Sequence, residues 1–330
     1  MSNLKEILVK KKYCKSVWFM RQAGRYLPEF RNIRSKNKNF IKLCLNAELS
    51  SEITLQPIKR YDLDSAIIFS DILIVPYALG QNVDFIKNEG PKLEDFNLEK
   101  FSNNNRKKFS EQLAPVYKAI QIVRKKLDKN KSLISFVGGP WTILFYMLNH
   151  NRQEFNFLKF EKKYNNLELI INNLINYLCI HIENQINAGA DVVQIFDSWA
   201  GLLPKKNLKE FCFVPNAKIV QFCKSNKIPN ICFPKGIKEK YEDFNLFVNP
   251  DGISIDPYID PVWASQKLKN VVIQGGLDPR ILFRSEEEML KEAAKYIKIF
   301  KDTPYVFNLG HGLLPETDPD KVKILIDFYR

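Results

Sequence analysis

No apolar run in this chain is long enough to cross a membrane as a helix. Such a span needs roughly 18–20 residues, and the longest candidate, Ser65 to Gly80, is interrupted by Asp71 and Pro76. No apolar stretch directly follows Lys10, Lys11 and Lys12, so a secretory pattern is missing as well. Histidine is scarce, with three residues at 150, 181 and 311. The six cysteines, at 14, 44, 179, 212, 223 and 232, form no CxxC pair, which suits free, mostly buried thiols in a cytosolic chain. Cys179 and His181 are two apart, so a helix would point them to different faces and they make a poor metal pair. Gly and Pro are few, 13 and 17 of 330, which excludes a collagen-like or linker protein. No GxGxxG follows the first apolar segment, and Gly-x-Ser-x-Gly, HExxH and Walker A motifs are absent. The basic residues form no run of five or more with interleaved aromatics, so a nucleic-acid partner is not expected.

What remains is 45% hydrophobic, enough for a sizeable core, with no Gly/Ser linker or low-complexity tract to divide it. Eight short apolar segments recur: Val17–Met20, Ala66–Ser70, Leu133–Val137, Asp191–Phe196, Asn230–Phe233, Gly252–Ile255, Val271–Gln274 and Tyr305–Leu309. Most are continuously apolar, as strands buried on both faces are. Helix-period stretches lie between them, at Ala47–Tyr61, Arg106–Leu127, Leu167–Ala188, Lys206–Asn226, Ser285–Lys301 and Asp318–Tyr329. Eight alternating repeats predict an α/β fold, a single (β/α)8 TIM barrel over residues 1–330. Val83–Leu93, containing Asn88-Glu89-Gly90, reads as a hairpin inserted after the second strand.

A barrel of this kind places its active site just after the strands. Those positions hold Arg21-Gln22-Ala23-Gly24-Arg25, Asp71, Gly138-Gly139-Pro140-Trp141, Asp197-Ser198-Trp199, Pro234-Lys235-Gly236, Gly275-Gly276-Leu277-Asp278-Pro279 and Gly310-His311-Gly312. The net charge is +13, and the chain favours lysine, 39 against 11 arginines. Yet Arg21, Arg25, Arg31 and Arg34 fall within 14 residues. Guanidinium grips carboxylate or phosphate with two parallel bonds, so the cluster reads as an anion clamp, or else as a basic stripe paired with Glu29. Asp71 stands between apolar stretches, where a carboxylate either caps a helix, pairs with an arginine, or faces N–H donors and a developing cation. His311 is flanked by glycines that leave room for a ligand, whereas His150 and His181 lie on helix-like segments. Tyr146 sits in an apolar helical run and suits core packing, and Ser198 suits a helix cap.

Met20-Arg21-Gln22-Ala23-Gly24-Arg25-Tyr26-Leu27-Pro28-Glu29-Phe30-Arg31, with Arg34 beyond, resembles the N-terminal signature of the uroporphyrinogen decarboxylase family. Ile67-Ile68-Phe69-Ser70-Asp71-Ile72-Leu73 resembles its second signature. Gly139-Pro140-Trp141-Thr142 with Tyr146, Phe196-Asp197-Ser198-Trp199-Ala200-Gly201, Gln274-Gly275-Gly276-Leu277-Asp278-Pro279 and Asn308-Leu309-Gly310-His311-Gly312 follow in family order. The resemblance implies a cytoplasmic homodimeric (β/α)8 enzyme that uses neither metal nor organic cofactor. It implies that the four acetate carboxyls of uroporphyrinogen III, an octacarboxylate tetrapyrrole, leave as carbon dioxide, leaving methyls and giving coproporphyrinogen III. By motif, Arg21, Arg25 and Arg34 bind substrate carboxylates, and Gln22, Ala23 and Gly24 line the same loop. Asp71, the catalytic residue, accepts the pyrrole N–H bonds, and Tyr146, Ser198 and His311 contact carboxylate arms. A zinc- and cobalamin-linked methyltransferase is the nearest rival, but the His-x-Cys pair it needs is absent here. A non-catalytic tetrapyrrole carrier would keep the clamp and could dispense with Asp71.

Overall fold

Nine strands order the chain, in a computed structural model that describes residues 2–86, 90–149, 155–164 and 166–330. They are β1 (Ser65–Ile67), β2 (Val83–Ile86), β3 (Gly90–Leu93), β4 (Ser132–Gly138), β5 (Val192–Asp197), β6 (Asn230–Pro234), β7 (Gly252–Ile255), β8 (Val272–Gly275) and β9 (Tyr305–Val306). Strands β2 and β3 pair antiparallel, Val83 opposite Leu93 and Ile86 opposite Gly90. The Asn88-Glu89 turn lies outside the described residues. The other seven form one parallel sheet in the order β1-β4-β5-β6-β7-β8-β9, and helices connect them. Their residues are almost all buried, which is why they read as continuous apolar runs in the sequence.

The sheet curls on itself. Ile67, Ile134, Val192, Ile231, Val272 and Val306 come from six of its strands yet pack in one cluster. Leu4, Ile7 and Leu8, from the helix Asn3–Lys10, join that cluster and fill its lower end. The fit is tight: a Cβ at Gly252 would stand 2.9 Å from Leu8 Cδ2. Above this plug the interior is polar, and its glutamines are paired. Trp18 Nε1 donates to Gln274 Oε1 at 2.9 Å, and Gln274 Nε2 donates to Gln194 Oε1 at 3.0 Å and Ser254 Oγ at 2.7 Å.

Two expectations need correction. The strand expected at Val17–Met20 is reduced to one parallel bridge, Val17 to Phe307, so the ladder has seven strands among the described residues and not eight. Side chains take the N–H groups a ladder would use. Val17 N–H goes to Asp64 Oδ2 (2.7 Å), Phe19 N–H to Gln22 Oε1 (3.0 Å) and Met20 N–H to Asn308 Oδ1 (3.1 Å). The helix expected over Lys206–Asn226 is broken into 3₁₀, π and α segments, Lys205–Asn207, Lys209–Phe213 and Val214–Ser225. Pro215 enters the last of these without an N–H to give, and Asn216 Nδ2 donates to Cys212 O at 2.8 Å.

The abundant asparagines have a local use. Asn39, Asn46, Asn97, Asn105 and Asn156 each cap a helix by accepting a backbone N–H three residues on. Asp318 caps the final helix, Pro319–Tyr329, as its Asp-Pro start predicts.

Candidate active site

The loop after Met20 is built around an unusual residue. Arg21 adopts a left-handed backbone, φ 62°, which a side chain rarely takes without support. Here support comes from below and from the side. Gln22 is buried, with Nε2 donating to Ser65 O at 3.0 Å while Oε1 holds Phe19 N–H. The hydroxyl of Tyr26 donates to Gln22 O at 2.9 Å. Gly24 closes the turn, since a Cβ there would stand 2.8 Å from Arg21 O. Ala23 packs against the core. Thus Gln22, Ala23 and Gly24 shape the loop, and the Gln22 side chain faces the scaffold rather than open space.

The four arginines divide. Arg31 spends its guanidinium on the carbonyls of Arg25 (3.0 Å) and Tyr26 (2.8 Å), pinning the loop. Glu29 pairs with Arg60, not with the cluster. Arg34 lies over the Phe40 ring at 5.6 Å and donates to Asn37 O. Arg21 and Arg25 make no ion pair within 4 Å among the described residues. Arg21 extends past Gly312, where a Cβ would collide with Cδ at 2.4 Å. Although accessible to water, Arg21 lines a recess. Burial by the recess wall and the nearby Arg25 charge hold its pKa below the usual guanidinium value, with Asp71 and Tyr146 acting in the opposite sense.

Asp71 faces the same recess. Its Oδ1 accepts the Leu73 N–H at 2.8 Å, whereas Oδ2 accepts no hydrogen bond among the described residues. Burial raises the carboxyl to about 6, against the opposing effects of the Leu73 N–H and the Arg21 charge. Tyr146 completes this side. Its phenol is raised by burial, opposed by a hydrogen bond with Trp199, and it feels both Asp71 and Arg21. The Tyr146 and Trp199 rings meet edge-on at 5.9 Å.

Backbone bonds tie the last loop to its neighbours, with Leu313 N–H donating to Met20 O of the first loop at 2.9 Å and Gly310 N–H to Leu277 O of the loop after β8 at 2.7 Å. His311 is held between them. Its Nδ1 accepts the Gly312 N–H at 2.7 Å, which leaves the proton of the neutral ring on Nε2. Burial, then the charges of Lys235 and Arg21, lower it to about 4, opposed by Asp278. At neutral pH the recess therefore holds an ionised Asp71, an uncharged His311 and flanking cations.

The family described as "Uroporphyrinogen decarboxylase (URO-D)" matches residues 10–330. A uroporphyrinogen decarboxylase of Orientia tsutsugamushi (strain Ikeda) is 45% identical over 324 residues, 94% of this chain and 92% of the relative. One from Rickettsia felis is 41% identical over 323 residues, 95% and 92% of the two chains. The chain belongs to the uroporphyrinogen decarboxylase family.

That membership makes it a carboxy-lyase. A methyltransferase from Methanosarcina mazei shares the fold, with a TM-score of 0.76 over 99% of this chain and 96% of the other, at 16% identity.

Of the residues expected from sequence, Arg21, Asp71, Tyr146 and His311 share one electrostatic neighbourhood. Ser198 lies at its edge, on the wall of an adjoining cavity of about 770 Å³. Arg34 is held back by Phe40 and Asn37, and His150 lies outside the described residues. His181 is buried, with Nδ1 3.1 Å from Tyr117 Oη, and burial pushes it down to about 3, as a packing histidine requires. Two further residues act at the rim. Asp197 accepts from Thr142 N–H, Thr142 Oγ1 and Asn216 Nδ2, fixing the Gly-Gly-Pro turn, where a Gly139 Cβ would meet Asp197 Cγ at 2.4 Å. Lys235, whose charge reaches His311, was hidden among 39 lysines, although its place directly after a strand was the available signal. Among the described residues no three His, Cys, Asp or Glu side chains converge as metal ligands.

Proposed function

We propose that this chain decarboxylates the four acetate side chains of uroporphyrinogen III to methyls, giving coproporphyrinogen III in haem biosynthesis. The observation that carries the reading is Asp71: a carboxylate with one unpaired oxygen, in a desolvated recess beside Arg21, in a chain of this family. The named relatives support the substrate.

The chemistry asked of the residues is limited. The carboxyl of each acetate leaves as carbon dioxide, and the electron pair of the broken CH2–COO bond needs a sink. Protonation of the adjacent pyrrole ring makes that sink, a ring cation. The pyrrole N–H groups then face Asp71 Oδ2, and its charge stabilises the cation as it forms. Such an attraction at 4 Å is worth about 1 kcal/mol in water and about 4 kcal/mol at an effective dielectric of 20, so a desolvated site matters. Loss of carbon dioxide discharges the ring, a proton then reaches the methylene carbon, and the proton first added to the ring leaves, which restores the neutral pyrrole. Arg21 and Arg25 hold carboxylate arms, and Tyr146, Ser198 and His311 contact others. On this reading Asp71 is catalytic, and no metal or organic cofactor takes part.

We also read residues 1–330 as a single barrel domain. Phe307 N–H donates to Ser16 O (2.9 Å) and Asp64 N–H to Val17 O (3.0 Å), which supports Ser16–Trp18 as an eighth stave between β9 and β1, with the β2–β3 hairpin inserted after β1. A cytoplasmic homodimer follows from the family resemblance. Among the described residues no helix is long and apolar enough to cross a membrane.

The test is anaerobic incubation of purified, metal-stripped protein with uroporphyrinogen III, followed by oxidation and separation by carboxyl number. Stepwise appearance of seven- to four-carboxyl porphyrins is expected. No turnover, or turnover only on adding metal or cofactor, would overturn the reading.

A further inference from the structure

The cavity of about 770 Å³ is not centred on Asp71, but it adjoins that site through two shared elements. Ser198 and Trp199 line its near wall, and Trp199 is the partner of the Tyr146 ring and hydroxyl. Lys235 lines it as well, and Lys235 and Arg21 act together on His311. The cavity thus lies beside the Arg21–Asp71 recess, with Ser198, Trp199 and Lys235 between them. Its size falls within the roughly 300–1,000 Å³ of small-molecule sites. Tyr258 and Trp263 supply aromatic surface to its lining.

The acidic groups of this wall are committed elsewhere. Asp256 accepts from Gly236 N–H (2.8 Å), Tyr258 N–H (3.1 Å) and Tyr241 Oη (3.2 Å). Asp260 caps its helix through Trp263 N–H at 2.7 Å, and Glu239 pairs with Lys205. Lys235 stands on a fixed backbone. Its amide N–H donates to Asp197 O and Phe233 O, and Gly236, φ 83°, packs directly on Gly201. A Cβ at Gly201 would stand 2.7 Å from Gly236 O.

We infer that this cavity receives the outer edge of the tetrapyrrole, and that Lys235 binds one of its carboxylate arms there, setting affinity for the polyanion rather than the rate of carbon dioxide loss. The inference rests on the function proposed above. The arm exchanges its hydration for the ammonium and for a wall whose acids are already occupied, while a pyrrole ring lies against Trp199 and Trp263.

Lys235→Gln, Lys235→Arg and Trp263→Leu test it in the full-length protein, with wild type alongside. Wild-type turnover of uroporphyrinogen III decides the parent reading, and its failure there is a failure of that reading. With wild type active, Lys235→Gln is expected to raise KM about tenfold while kcat stays within about threefold. Lys235→Arg is expected to restore KM to within about threefold, which a packing role for the lysine stem alone does not predict. Trp263→Leu, elsewhere on the cavity lining, should raise KM severalfold and decides the matter if Lys235→Gln fails to fold. Unchanged KM in the folded variants, or a loss confined to kcat, overturns the inference.

Discussion

Asp71 is the residue on which the chemistry and the stability of this protein pull in opposite directions. Folded, its carboxyl keeps a proton up to about pH 6, whereas an unfolded chain releases it near the ordinary value of 3.8. The folded state therefore loses stability as pH rises from about 4 to 6 and stays at that deficit above. Asp71→Asn should consequently raise the thermal midpoint at pH 8, by about 1–2 kcal/mol in stability, with the gain vanishing near pH 4. The same variant should lose at least ~100-fold in kcat, because the negative charge opposite the ring cation is gone. Wild-type turnover in Asp71→Asn would sink its central role. In the wild-type enzyme kcat/KM should rise with pH through about 6 as Asp71 ionises. A profile flat between pH 5 and 7 would contradict this.

At the scale of elements, the loops meet before any substrate arrives. Gly312 gives Arg21 its path, so Gly312→Ala must push the guanidinium aside. A rise in KM of about tenfold or more is expected, with the thermal midpoint little changed. Gln22 ties Phe19 to Ser65, so Gln22→Leu leaves a buried N–H and a buried carbonyl unpaired. That should cost about 1–3 kcal/mol by denaturant titration. These links also mark where sequence is legible and where it is not. Strands β4 to β8 could be read because burial on both faces leaves continuous apolar runs. Val17–Met20 looks the same locally, yet its N–H groups are taken by Gln22, Asp64 and Asn308, the last of these almost 300 positions away. The Lys206–Asn226 periodicity held through Pro215, and only the backbone shows the π turn before it. Asp71 and His311 stood out by placement after a strand or between glycines. The inward turn of Gln22, and the carbonyls that occupy Arg31, depend on partners no spacing reveals.

At the scale of the whole molecule, the first helix closes the bottom of a sheet assembled from the rest of the chain. Leu8→Ala should cost about 2–4 kcal/mol, because its cavity opens among residues with little freedom to collapse. Chemical denaturation would show it, and a loss under 1 kcal/mol would mean the plug is loosely held. The same plug sets an order of events during synthesis. Asn3–Lys10 leaves the ribosome ahead of every surface that receives it, and that surface includes Val306. For nearly the entire period of translation, Leu4, Ile7 and Leu8 have no finished berth. A nascent chain halted before Tyr305 should thus be clipped by trypsin at Lys10-Lys11-Lys12, while the finished chain resists, so that a helix made before the sheet is secured only after it.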